Sequence, residues 1–332
     1  MKATQITYLE PNKVVLTEIN QEMADNKVLV KTAFSTLSCG TERANLTASV
    51  NTSQKFPMAS GYSSAGIVEA VGKDVTSVKP GDRVVVYWGC HQNYNLQPEE
   101  RVVKIEHDNI SLSEAALSFV ATFPTAAIRK VKLELGESLM VMGLGILGQI
   151  AVKLARVAGA VPIIAADPVA ERREEALKNG ADYAFDPFEP DFAQKVKEVT
   201  GGGVNTAIEV TGVGAGLDET LDCMAKFGRV ALLGCTRDKN FNIDYYQKVH
   251  VPGITLVGAH TNARPMIESY PGYHTHRDDI RDVLKLCATG RLSLIDMIKE
   301  YYSPNECVDV YERLIADRNF PPVVQFDWSR LE

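Results

Sequence analysis

Three glycines and one aspartate carry the clearest chemistry in this chain. Gly143, Gly145 and Gly148 follow G-x-G-x-x-G within Ser138-Leu139-Met140-Val141-Met142-Gly143-Leu144-Gly145-Ile146-Leu147-Gly148. At that spacing the first glycine permits a tight turn. The second lets a pyrophosphate approach the backbone, and the third lets a helix pack closely on a strand. Ile146 and Leu147, inside the turn, share that cofactor contact. A second apolar run, 161–166, ends in Asp167, at about the spacing of the acid that holds the ribose hydroxyls. A carboxylate there accepts from both hydroxyls and repels a 2′-phosphate, which predicts NAD rather than NADP. Arg172, a turn later, could lie against the adenine or be solvated. Thr211, Gly234 and Ala259 follow three further apolar runs, at the strand ends where such a cofactor lies.

These residues need a strand, a turn and a helix to position them, and the pattern supplies all three. Leu147, Ile150, Ala151, Leu154 and Val157 fall on one helical face after the glycines. From residue 139 onward β and α alternate. Strands are predicted over 139–142, 161–166, 183–185, 206–210, 230–234 and 254–257, with helices near 147–158, 170–179, 192–199 and 217–227. Such alternation implies a parallel sheet covered on both faces. Residues 1 to about 120 are different. Short runs rich in Val, Ile and Thr over 3–8, 13–17, 27–34, 66–71, 83–87 and 101–105 predict a small barrel or sandwich. Between two of them lies 36–64, irregular, rich in Ser, Thr and Gly, and long enough to suggest function. A helix is predicted over 111–132. Further helices follow over 279–289 and 306–318, the second with Val308, Val310, Leu314 and Ala316 as its apolar stripe. A last strand covers 322–328.

Composition bounds the class. The chain has 332 residues, 45% hydrophobic and 23% charged, which fits a soluble globular protein of two domains. A net charge of -7 argues against a nucleic-acid binder. No apolar run reaches membrane-span length, and the first residues lead into a strand pattern rather than a secretory leader. The cysteines, Cys39, Cys90, Cys223, Cys235, Cys287 and Cys307, are scattered with no C-x-x-C pair. That pattern predicts a reducing cytoplasm, with neither a disulfide framework nor a clustered structural zinc lobe.

Several stretches together resemble the zinc-type medium-chain alcohol dehydrogenases over nearly the whole chain. They are Cys39-Gly40-Thr41-Glu42, Gly61-Tyr62-Ser63-Ser64-Ala65-Gly66, Val71-Gly72, Val78-Lys79-Pro80-Gly81-Asp82-Arg83-Val84 and the glycine turn. The resemblance implies α/β plus β architecture: a GroES-like catalytic domain over 1–121 plus 262–332, and a Rossmann NAD-binding domain with a doubly wound parallel sheet over 122–261. It also implies a cleft between them and a homodimer or homotetramer. Members usually hold catalytic zinc on a cysteine, a histidine and a third ligand, and zinc polarises the alcohol oxygen. Cys39 keeps the cysteine position. Gly61-Tyr62-Ser63 replaces the family's Gly-His-Glu, and Ser118-Phe119 stand where the third ligand is expected. The Gly-Tyr-Ser variant with Thr41-Glu42-Arg43 is similar to the bacteriochlorophyllide a dehydrogenase-like and sugar or cyclitol dehydrogenase-like subgroup.

The expectation is therefore an NAD-dependent oxidoreductase without catalytic zinc that interconverts a secondary alcohol and a ketone. The hydroxyl-rich 36–64 stretch suggests a polyol, cyclitol or sugar derivative. Thr41 falls at the family's proton-relay hydroxyl position, and Tyr62 could donate to a carbonyl oxygen. His91, in a loop the fold would place over the cleft, and His260, after the last cofactor-domain strand, are candidate acid–base groups. A rebuilt zinc site from Cys39, Cys90 and His91 stays open, although adjacent side chains diverge along an extended chain. His274 and His276 alternate and could meet substrate or lie in a solvated loop. Two other functions stay open: a zinc-free quinone or enone reductase, and an NAD-binding protein without turnover.

Overall fold

The Val-, Ile- and Thr-rich runs at the start of the chain form strands, as half-buried β-branched residues favour. The computed structural model describes residues 1–237, 240–317 and 319–332. Its chain divides into two compact units, Met1–Val120 with His276–Glu332, and Ala121–Thr275. The return to the first unit comes later than the expected 261/262.

In the first unit, β1 (Lys2–Glu10), β2 (Lys13–Asn20), β3 (Lys27–Leu37), α1 (Cys39–Leu46), β4 (Met58–Ala59), β5 (Ser63–Val71), β6 (Arg83–Tyr87), β7 (Tyr94–Pro98), β8 (Val102–Lys104) and α2 (Leu112–Ala115) follow in order. The chain leaves through α3 (Ser118–Lys130). In the second unit come β9 (Leu139–Met142), α4 (Ile146–Ala158), β10 (Ile163–Ala166), α5 (Ala170–Lys178), β11 (Tyr183–Phe185), α6 (Phe192–Thr200), β12 (Val204–Glu209), α7 (Gly214–Asp222), β13 (Met224–Leu232) and β14 (Thr255–Gly258). The first unit is completed by α8 (His276–Ala288), β15 (Glu300–Tyr302), α9 (Cys307–Ala316) and β16 (Val324–Asp327).

Among the described residues the first unit holds a three-stranded sheet, β2-β1-β4, and a seven-stranded one, β15-β16-β3-β5-β6-β8 with β7 paired to β3. One apolar core joins Ile6, Tyr8, Leu37 and Leu46 to Val310, Tyr311, Leu314 and Phe326. A second lies among Val28, Val30, Val68, Val84, Val86 and Val102. The second unit is a six-stranded sheet in the order β11-β10-β9-β12-β13-β14, all pairings parallel. Strand order reverses between β9 and β12, which makes that pair the topological switch point where α/β sheets bind ligands. Among the described residues no helix is long and apolar enough to cross a membrane.

Several elements depart from the pattern reading; β7 and β15, for example, fall where no strand is expected. The 111–132 helix breaks in two, because the Ala116 carbonyl at the junction is taken by the Thr36 and Ser63 hydroxyls at 3.0 and 2.6 Å. The 36–64 segment contains a helix, α1, that its polar composition hid. The predicted 217–227 helix stops at Asp222. Leu217, Leu221 and Met224 are spaced like a helical stripe, but Met224 enters the same core as the first residue of β13. In α9 the buried stripe is Cys307, Val310, Tyr311 and Leu314, while Val308 and Ala316 are exposed. The expected end of that helix, Arg318, lies outside the described residues.

Candidate active site

The glycine turn sits at the switch point. Gly143, directly after β9, has φ +96°, a conformation that favours glycine. A Cβ on Gly148 would lie 1.9 Å from the Gly143 carbonyl oxygen, so only glycine lets α4 approach β9 this closely. A Cβ on Gly145 would meet nothing within 4 Å. Its backbone, at the N-cap of α4, therefore borders open space, with Ile146 and Leu147 starting the helix behind it.

Asp167 follows β10 and is only 4% exposed. One carboxylate oxygen accepts from the Leu144 N–H at 2.8 Å and the other from the Val169 N–H at 2.9 Å. The acid thus fixes the glycine turn as well as facing it. The Arg172 guanidinium comes within 3.8 Å of the same carboxylate. Arg173 donates to the Asp167 carbonyl at 2.7 Å and pairs with Asp186.

Glu209, which the pattern reading passed over, ends β12 and is 3% exposed. Its carboxylate accepts from the Thr211 N–H (2.7 Å), the Thr211 hydroxyl and the Gly212 N–H. Burial holds this carboxyl above its usual range, against the pull of those donors. Thr211 is thereby pinned beside Gly143, where a Cβ would lie 2.9 Å from Thr211 Cγ2. The Gly234 N–H donates to the Glu209 carbonyl at 2.9 Å, and the Ala259 N–H to the Leu232 carbonyl at 3.0 Å. His260 is exposed, and its Nδ1 accepts from the Asn262 N–H at 3.2 Å. Lys130, on α3, donates to the Gly258 and Ala263 carbonyls at 2.8 and 2.5 Å and so holds the turn that contains Ala259 and His260. Burial, with Arg264 nearby, lowers its pKa.

In the first unit the expected residues fare unevenly. Cys39 opens α1, and its thiol donates to the Pro321 and Pro322 carbonyls at 3.3 and 3.5 Å. Thr41 is half-buried on the same helix. The Tyr62 ring is buried with its centroid 5.7 Å from that of Trp88 and 5.9 Å from that of Phe119. Ser63 donates to the Ala116 carbonyl at 2.6 Å and Ser118 to the Ala115 carbonyl at 2.7 Å. His276, expected in a loop, opens α8 instead and is buried against Tyr87, Trp88 and Phe119.

His91 corrects the expectation of a loop histidine facing a cleft. It is 0% exposed. Its Nδ1 lies 2.7 Å from the Ser35 hydroxyl and its Nε2 3.1 Å from both Glu42 oxygens. Ser35 also accepts from the Trp328 indole N–H at 2.8 Å. Glu42, which carries part of the family resemblance but no role in the sequence reading, takes the Tyr8 and Tyr311 hydroxyls and the Ser38 N–H as well. Burial alone would raise the Glu42 carboxyl. The His91 imidazole, the Tyr311 hydroxyl and the Ser38 N–H outweigh it and hold the carboxyl below its ordinary value. Beside His91, burial pushes the Cys90 thiol up to about 11. Among the described residues no group of three or more potential metal ligands includes Cys39, Cys90 or His91.

Comparison with known proteins gives this geometry a family. The alcohol dehydrogenase GroES-like domain matches residues 24–133, and the zinc-binding dehydrogenase domain matches 147–275. The chain belongs to the zinc-type alcohol dehydrogenase superfamily. It is 27% identical over 276 residues to L-threonine 3-dehydrogenase of Pyrococcus abyssi, covering 75% of this chain and 76% of that one. Sorbitol dehydrogenase of Bacillus subtilis is 27% identical over 79% of each chain. A solved alcohol dehydrogenase zinc-binding domain protein from Burkholderia ambifaria superposes with a TM-score of 0.84 over 98% of this chain and 99% of its own. At 22% identity that last likeness speaks to the fold alone. The GroES-like and Rossmann halves expected from the sequence are both present, and the chain is an alcohol dehydrogenase-like oxidoreductase.

Proposed function

We propose that this chain is an NAD-linked oxidoreductase that interconverts a secondary alcohol and a ketone without catalytic zinc. Asp167 beside the glycine turn is the observation that carries the cofactor reading. Each carboxylate oxygen has two acceptor sites, and the Leu144 and Val169 amides use one on each. Both oxygens keep capacity for a ribose hydroxyl. A 2′-phosphate would meet a buried negative charge there, with Arg172 offsetting part of it. Gly145 and the start of α4 would take the pyrophosphate, since amides at a helix N-terminus attract anions. Thr211, Gly234 and Ala259 would line the remaining strand ends. When bound, NAD supplies the acceptor for hydride. Thr41 or Tyr62 would relay the alcohol's proton through its hydroxyl to solvent, or His260 would handle it; His91, enclosed behind Gly61 and Glu42, drops out of that role.

The donor set fits zinc poorly. Zinc takes thiolate, imidazole and carboxylate ligands. Here the Cys39 thiol is spent on two backbone carbonyls, Tyr62 is packed among rings, and Ser63 and Ser118 donate to carbonyls. The likeness to sorbitol dehydrogenase supports a polyol, cyclitol or sugar derivative as substrate. The 36–64 hydroxyls support it less than their number suggested, because Thr36, Ser60 and Ser63 are spent on backbone carbonyls. The scattered cysteines remain the support for a cytoplasmic location.

The test is a reduction screen with NAD and NADP over polyols, cyclitols and sugars, with conjugated enones run in the reverse direction. The reading expects turnover of an alcohol with a clear NAD preference. Turnover of enones alone, or NAD binding with no hydride exchange on any substrate, would contradict it.

A further inference from the structure

One buried pair in the first unit links the two stretches that carry Thr41 and Tyr62. Glu42 follows Thr41 on α1, and its carboxylate accepts from the N–H of Ser38, just before that helix. Across the pair, the His91 ring lies flush against Gly61. A Cβ on Gly61 would sit 2.5 Å from ring carbons of His91, and Gly61 has φ +76°. The His91 N–H also donates to the Ser60 carbonyl at 2.8 Å. The ring edge of Phe326, 5.2 Å away between centroids, and the Ser35 hydroxyl close the remaining sides. The path from one stretch to the other therefore runs Thr41–Glu42, His91, Gly61–Tyr62, with no exposed group along its centre.

We propose that His91 and Glu42 are a positioning pair that fixes the segment bearing Thr41 relative to the segment bearing Tyr62. This rests on the reading above that these segments handle the proton. The pair acts as a cross-link between the two segments. Zinc held at the family's ligand positions, 39 and 62 here, would join the same two stretches. With donors that suit zinc poorly, the stretches need another tie, and a buried carboxylate–imidazole pair is one with defined geometry. Such a pair is a weak source of net stability, because desolvation offsets most of its attraction. Its use is registry: removing either partner leaves the other buried without its match, so both segments must shift. Small displacements of a reacting group cost rate, whereas Gly145 and Asp167, proposed to bind the cofactor, belong to neither segment.

The test uses the full chain with His91→Gln, Glu42→Gln, the double variant, Gly61→Ala and Ser35→Ala. Gly61→Ala drives a methyl into the imidazole while leaving both polar partners. Ser35→Ala is the mildest change, removing only the Nδ1 partner. Hydrogen exchange is read over 38–46, 58–64 and 143–148. Then kcat and KM are measured with the best alcohol of the screen, per NAD-binding chain, so that misfolded protein does not count. Exchange should rise in 38–46 and 58–64 together and stay unchanged in 143–148. The kcat of the His91→Gln, Glu42→Gln and Gly61→Ala chains should fall on the order of 10- to 100-fold with KM for NAD unchanged. The double variant should be no slower than the slower single, as expected of residues acting as a unit. The proposal is overturned by exchange that rises in only one segment, by additive losses, or by folded variants whose kcat stays within about twofold. Wild-type protein inactive on every substrate would instead sink the functional reading, and the exchange result alone would then decide the pair.

Discussion

At the residue scale, two buried acids pull stability in opposite directions with pH. Glu42 is held below its ordinary value of 4.5 in the folded chain. Its contribution is present above the unfolded value and is lost as pH falls through the lower folded one. Glu209 is raised above 4.5 by burial. Its contribution is present below the unfolded value and is lost as pH rises through the higher folded one. Denaturant melts from pH 3 to pH 8 should therefore separate them. Glu42→Gln should be less stable than wild type at neutral pH, with the gap closing below about pH 4.5. Glu209→Gln, which keeps an acceptor for Thr211 and Gly212, should gain on wild type as pH rises. A Glu42→Gln gap that does not change with pH would show that the carboxylate's charge is not what matters. Asp167→Ala should cost NAD its advantage over NADP, measured as the ratio of kcat/KM values. A ratio that does not move would place the ribose elsewhere.

At the scale of elements, the second unit was nearly all legible. β9 and β10 are continuous apolar runs ended by Gly143 and Asp167, and α4 shows a plain 3.6 period, so periodicity and punctuation agree where the cofactor signature lies. The first unit was legible as strands, but its site was not. His91 reads as a polar loop residue because sequence carries no sign that Ser35 and Glu42 converge on it from positions far apart in the chain, with Trp328 in turn donating to Ser35. The only local hint was Glu42 itself, an acid within α1, where solvent exposure is the usual fate. Helix α1 escaped notice for the related reason that its buried face is Glu42, Ala44 and Leu46 rather than an apolar stripe. The glycine turn permits a sharp check on what was legible. Gly148→Ala puts a Cβ 1.9 Å from the Gly143 oxygen. That overpacking should cost about 1–3 kcal/mol and lower NAD affinity, as read by calorimetry. Gly145→Ala, facing open space, should leave stability alone and weaken NAD binding only. Equal stability losses at both positions would remove the distinction between packing and cofactor glycines.

For the whole molecule, the family supplies the two-part design and leaves assembly to be argued. We propose a homodimer or homotetramer built through β14. It is the outer strand of the six-stranded sheet, and among the described residues no strand pairs with its far edge. Leu256 on it is 38% exposed, and Phe227, Tyr245 and Val251 add exposed apolar surface in the same unit. An unprotected apolar edge is a template for pairing with a second copy. Light scattering should find an oligomer that Leu256→Lys converts to monomer, and an unaltered oligomer would move the interface elsewhere. The central claim is that this alcohol dehydrogenase relative works without its family's metal. The most direct measurement takes the purified chain, dialysed against a chelator, and determines zinc content and alcohol-dependent NAD reduction on the same sample. Zinc should be far below stoichiometric, with turnover equal to that of the undialysed protein. Stoichiometric zinc whose removal abolishes turnover, and whose return restores it, would contradict it.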